Sequence, residues 1–117
     1  MFTLSSTLQF HLYNTPTDMR KSFDGLCGLI QNHLGASPTN GHVYVFVNKP
    51  RNKIKLLHWT GNSFVLYYKR LERGTFDVPK YDIKDGSYLL SYAQMVMLTD
   101  GICITNIEKK KTYNFAG

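Results

Sequence analysis

The sequence predicts an α+β fold in which an antiparallel β-meander packs with a long N-terminal helix and a shorter C-terminal helix. Three observations carry that prediction. The stretches VYVFVN (43–48), KIKLLHW (53–59) and FVLYYKR (64–70) are rich in β-branched and aromatic residues and are separated only by turn-forming sequences. Between Met19 and Leu34 the apolar residues Met19, Phe23, Leu26, Cys27, Ile30 and Leu34 keep the spacing of one helix face. Further on, YLLSYAQMVMLTDG (88–101) holds a second, shorter helix between a capping Ser91 and a terminating Gly101.

Taken in order, TLQFHLY (7–13) alternates weakly and reads as a first strand, which Pro16 ends. Thr17 or Asp18 then serves as the N-cap of the long helix. Gly25 and Gly28 weaken its intrinsic helicity, so packing has to hold it, and Gly35 supplies its C-terminal turn. GASPTNGH is a loop. In the meander, KPRN and TGNS are the two turns, with Gly61 and Asn62 suited to positive φ. Residues 77–87 read as a loop, ICITNI (102–107) as a last strand and 108–117 as a frayed basic end. The whole of 1–117 is one domain, without internal repeats or low-complexity tracts.

If both turns are short and even, Asn48 faces Lys53 and Thr60 faces Ser63, and directly opposed residues share a face. One face then collects Val43, Val45, Val47, Ile54, Leu56, His58 and Val65, with Tyr67 and Lys69 at its edge. The other collects Tyr44, Phe46, Lys53, Lys55, Leu57, Trp59, Phe64, Leu66, Tyr68 and Arg70. A slip of one residue in the third strand would exchange that strand's two sets. Both faces are too apolar to stay open, so helices must cover them in part.

Charge is the second theme. Between Lys49 and Arg73 lie seven cations (Lys49, Arg51, Lys53, Lys55, Lys69, Arg70, Arg73) and one acid, Glu72. Seven minus one is six, the net charge of the whole chain, so the basic hairpins at 43–73 carry the entire excess. Such a cluster interleaved with rings suits a polyanion: cations neutralise phosphates while exposed rings meet bases. Arg20 and Lys21, beside a helix start whose dipole they oppose, form a second candidate patch.

Catalytic and metal chemistry finds no foothold. The four histidines fall in four different elements, and no H-x-x-x-H or H-E-x-x-H occurs. No trio of acids resembles a two-metal phosphoryl-transfer site, and no glycine-rich phosphate loop is present. Cys27 and Cys103 form no framework and are expected to be reduced. No catalytic residue, metal or cofactor is therefore expected. With no signal peptide and no apolar run of about 20 residues, the chain is expected to be cytoplasmic, without a membrane partner.

Three blocks, PTDMRKSFDGLCGLI (16–30), VYVFVNKPRNKIKLLHW (43–59) and GNSFVLYYKRLERGTFDVP (61–79), resemble the insertion-sequence-66 accessory protein, the TnpB or second open reading frame of those elements. Order and spacing agree from about residue 8 to residue 80, and LLSYAQMVMLTDGI (89–102) agrees more loosely. The family's basic block falls on Asn48, Lys49, Arg51, Lys53, Lys55, Tyr68, Lys69 and Arg70, and its helix block on Asp18, Arg20, Lys21, Phe23, Asp24 and Gly25. Pro50 interrupts a run usually more continuously basic, and HWTGNSF lacks the acid that commonly follows the Trp. The resemblance implies a bacterial, nucleoid-associated accessory factor that assists a separate transposase.

Two functions follow as expectations. In the first, the chain is a non-catalytic transposition factor that contacts element ends or target DNA through Arg20, Lys21, Lys49, Arg51, Lys53, Lys55, Lys69, Arg70 and Arg73. In the second, it is an interaction module that docks on the transposase through Trp59, Tyr67 and Tyr68.

Overall fold

A computed structural model describes residues 7–78 and 86–100. Its elements run β1 (Phe10–Tyr13), α1 (Phe23–His33), β2 (Val43–Val47), β3 (Lys53–Trp59), β4 (Phe64–Arg70), β5 (Ser87–Leu90) and α2 (Tyr92–Asp100). The strands make one five-stranded sheet in the order β4-β3-β2-β1-β5. The expected strand at 102–107, the frayed end at 108–117 and Cys103 lie outside the described residues.

The meander forms in the expected register. Val47 pairs with Ile54, Asn48 N donates to the Lys53 carbonyl at 3.1 Å, and Trp59 pairs with Phe64 across the second turn. Within that second turn only Gly61 takes positive φ, at 108°. Asn48 braces the first turn: its Oδ1 accepts from the N–H groups of Asn52 and Lys53, each at 3.0 Å, and its Nδ2 donates to Asn52 Oδ1 at 2.8 Å.

The predicted fold class needs correction on two counts. The sheet is mixed, not an antiparallel meander alone, because β1 runs parallel to β2 and antiparallel to β5. A parallel pair needs a crossover, and α1 with its flanking loops supplies it. Strand β5 is not anticipated by the sequence, which puts Ser87 in a loop and leaves 88–90 ahead of the Ser91 cap; ladder pairing with β1 makes Ser87–Leu90 a strand. The second correction concerns the long N-terminal helix, which is only 11 residues and begins at Phe23. Neither Thr17 nor Asp18 caps it. Thr17 is buried and its N–H donates to the Val47 carbonyl at 2.8 Å, while the cap position is Ser22, without a side-chain cap bond. Residues 18–21 are kept out of the helix by their own partners. Asp18 takes the Arg20 N–H at 2.9 Å and the Arg20 guanidinium at 2.7 Å. The Lys55 ammonium donates to the carbonyls of Met19 at 2.8 Å and Lys21 at 2.7 Å, acceptors that a longer helix would have used internally.

Both faces of the sheet are covered. On one, Val43, Val45, Val47, Ile54 and Leu56 pack with Phe10 and Leu12 under Met95 and Leu98 of α2 and under Phe76. Phe76 comes from the loop after β4 and is only 1% exposed. On the other face, Tyr13, Tyr44, Phe46 and Leu57 pack against Leu26 and Ile30 of α1. The short α2 starts with a capping box, in which Gln94 N donates to Ser91 Oγ at 3.1 Å and Ser91 N to Gln94 Oε1 at 2.8 Å.

His11 of β1 stacks on Tyr44 and on His42, and one N–H bridges His11 Nε2 and His42 Nδ1 at 2.9 Å. Burial, and secondarily the neighbouring His42, hold the His11 pKa below its ordinary value.

Two outcomes are expected. Lys55→Met should lower the unfolding free energy by about 1–2 kcal/mol, the worth of two charge-assisted bonds less the cost of burying the ammonium. Amide exchange should quicken at residues 16–22 while the β1–β2 ladder stays protected. Folded His11 binds a proton less readily than unfolded His11, so stability should fall as pH drops below about 6.5 and level off under the lowered folded value. Denaturation midpoints between pH 7.5 and 5 check this, and His11→Gln should flatten the curve.

Candidate nucleic-acid interface

The hydrogen bonds that close the turns bring three separate segments to one end of the sheet. Residues 14–21 follow β1, 48–52 join β2 to β3, and 71–76 follow β4. Leu71 N donates to the Asn52 carbonyl at 2.8 Å and Phe76 N to the Arg51 carbonyl at 2.7 Å, so the Glu72–Thr75 excursion stands beside the first turn. Lys53 and Arg70 pair directly across the ladder at the same end.

The predicted cations divide into two groups. Arg20, Lys21, Lys49, Arg51, Arg70 and Arg73 are exposed, and Lys53 is half-buried. Among the described residues the ion pairs are Arg20–Asp18 at 2.7 Å and Arg70–Glu72 at 2.8 Å, both open to solvent. Arg20 keeps its Asp18 carboxyl down at about 2, chiefly by the side-chain hydrogen bond. Lys55 and Lys69 form the other group. Lys55 is only 6% exposed, held by the two carbonyls that close the N-terminal segment, and burial depresses its pKa against a smaller opposing pull from Asp18. Lys69 points to the opposite face, where its ammonium meets the Thr99 carbonyl at 2.5 Å, at the negative end of α2.

The predicted aromatics divide as well. Tyr67 packs against the core under α2. Trp59 lies at the far end of the sheet, its ring 4.8 Å from that of Phe64, beside a hollow of about 510 Å³ that also includes His58 and Asn40. Tyr68 stays 51% exposed at the basic end, with the Lys55 ammonium 4.6 Å from its ring centroid.

Arg20, Lys49, Lys53 and Tyr68 come together in a cleft of about 580 Å³ whose walls are residues 16–20 and Asn48–Pro50. A smaller hollow of about 230 Å³ flanks the same turn and includes Arg51 and Asn14. Asp18 was expected as a helix cap and is instead the acidic element of the large cleft. Its D-x-R spacing is the one local signal for that pairing. Arg51 has φ of 62°, a left-handed conformation unusual for a residue with a side chain. No group of three or more metal-ligating side chains occurs among the described residues. No helix among them is long and apolar enough to cross a membrane.

The chain resembles known proteins along nearly its full length. It is similar to two proteins of Sinorhizobium fredii, both described as uncharacterized. With y4jC it shares 30% identity over 106 residues, which are 91% of this chain and 89% of the other. With y4hO it shares 34% over 86 residues, 74% and 73% of the two chains. No solved structure matches it. The family model described as IS66 Orf2 like protein matches residues 8–109, a span that contains every strand and helix among the described residues and the basic cleft. The chain therefore belongs to the IS66 Orf2-like family.

Proposed function

We propose that this accessory protein of insertion-sequence transposition binds DNA without catalysing its chemistry. Family membership places the chain in an insertion-sequence context. The observation that carries the DNA-binding reading is the gathering of Arg20, Lys49, Arg51, Lys53, Arg70 and Arg73 at one end of the sheet, from segments far apart in sequence. Cations so placed neutralise phosphates without altering the cores. Arg51 adds support: a left-handed residue other than glycine is strained, and strain of this kind persists where the side chain has work to do. Lys55 and Lys69 serve this function indirectly, by holding the 16–21 segment and α2 in place.

A second reading rests on the Trp59–Phe64 pair and its hollow, at the opposite end of the sheet. There a half-buried Trp offers an anchor for the transposase, since Trp is enriched at interface hot spots. The two readings assign separate surfaces, so one protein can serve both.

Fluorescence anisotropy with labelled element-end duplex and a scrambled duplex, each over a salt series, tests the first reading. Affinity should fall with a log–log slope of about −4 to −5, as expected for about five phosphate contacts. Lys49→Ala with Lys53→Ala should weaken binding and make the slope shallower by about 2. Lys69→Ala should leave DNA binding unchanged while lowering thermal stability. Arg51→Gly should melt at or above the wild type, its strain relieved, yet bind DNA more weakly. Salt-independent binding would overturn phosphate contact through these cations, and no binding at low salt would remove direct DNA contact and leave the Trp59 surface as the working interface.

A further inference from the structure

We propose that the cleft between residues 16–20 and Asn48–Pro50 receives one unpaired nucleotide, its base stacked on Tyr68 and its phosphates on Lys49 and Lys53, so that single-stranded DNA is the favoured ligand of the basic end. This inference rests on the DNA-binding reading above and adds the form of DNA that the site accepts.

Tyr68 is the exception in its row. Along this face of β4 the residues are Phe64, Leu66, Tyr68 and Arg70; Phe64 and Leu66 pack on the α1 core, while Tyr68 is 51% exposed. Its ring is not loose. Lys55, its direct partner across the ladder, places an ammonium 4.6 Å from the ring centroid. That ammonium is itself fixed by the carbonyls of Met19 and Lys21. The cation–π contact takes up part of the ring, and half of Tyr68 stays open to solvent. A flat ring already in contact with a fixed ammonium loses little further freedom when a base settles on it.

Duplex DNA cannot use such a platform, because its base faces are already stacked inside the helix; a base must be unpaired or flipped out to reach it. The cleft has the dimensions for that. At about 580 Å³ it lies within the roughly 300–1,000 Å³ of small-ligand sites. Its charges are also distributed for a nucleotide. Lys49 and Lys53 provide positive charge for the backbone, and no carboxylate among the described residues pairs with them. Asp18 is the acidic group of the lining, with both carboxylate oxygens engaged by Arg20. A second phosphate is disfavoured there, whereas the N–H edge of a base is tolerated.

The test measures binding of a labelled 12-mer single strand and of its duplex, at one low salt concentration, to the wild type, Tyr68→Phe, Tyr68→Leu and Tyr68→Ala, with melting curves to establish folding. The wild type should favour the single strand about ten-fold or more, Tyr68→Phe should keep that preference, and Tyr68→Leu and Tyr68→Ala should abolish it while duplex binding changes little. A 2-aminopurine in the strand should be quenched by the wild type and not by Tyr68→Leu. Equal affinity for strand and duplex, or equal loss of both in Tyr68→Leu, would overturn the nucleotide subsite while the phosphate-binding surface stands. Absence of binding to either form would overturn both.

Discussion

The Lys55 ammonium, seated between the carbonyls of Met19 and Lys21, ties the N-terminal segment to β3. Those carbonyls belong to the segment that the apolar spacing from Met19 assigns to the helix, and removing them from it delays the helix start until Phe23. The displaced residues instead form a wall above β3 and β4, and the basic cleft exists because that wall stands there. A buried lysine is costly unless its hydrogen-bonding capacity is met, and here two carbonyls and a ring meet it. The same ammonium sits 4.6 Å from the Tyr68 ring centroid, so helix boundary, cleft and exposed ring share one cause.

Coverage of both sheet faces explains where the free charge goes. With α1 on one side and α2 with Phe76 on the other, the central strands are covered on both faces, and the accessible cations lie at turns and strand ends. The end they occupy lies beyond the carboxyl termini of the parallel strands β1 and β2. Loops that follow parallel strands are where open α/β sheets place their ligand sites, and the 14–21 and 48–52 segments are two such loops. The opposite end carries Trp59 and a hollow lined by no Lys, Arg, Asp or Glu, so the molecule has two chemically distinct poles.

Glu72 and Asp18 temper the basic pole without neutralising it. Each lies two residues from the arginine that it pairs with, and both pairs are exposed, with Arg20 at 92%. Exposed pairs of this kind are weak and easily exchanged, so the guanidiniums remain available to a stronger anion. The cations of the first turn need no such exchange, and Asn48 holds that turn in shape from within.

Local pattern by itself determined the meander, its register and its two faces. A two-residue side-chain period and two short turns leave little freedom, and Val47, Ile54, Trp59 and Phe64 pair as that period requires. It also determined the charge concentration between Lys49 and Arg73 and the capping of α2 at Ser91, each readable within a few residues. Tertiary structure alone decided the rest. Lys53 and Lys55 are equivalent in KIK, on one face of one strand, yet one lines a cleft and the other is buried. The strand period puts Lys69 and Arg70 on opposite faces, but only the fold seats Lys69 at the end of α2 and leaves Arg70 in solvent. The parallel pairing of β1, the strand at Ser87–Leu90 and the shortened helix likewise depend on distant partners. The physical reason is range: Lys55 finds its carbonyls 34 and 36 residues away and Lys69 finds its own 30 away, separations at which no local periodicity distinguishes one lysine from the next.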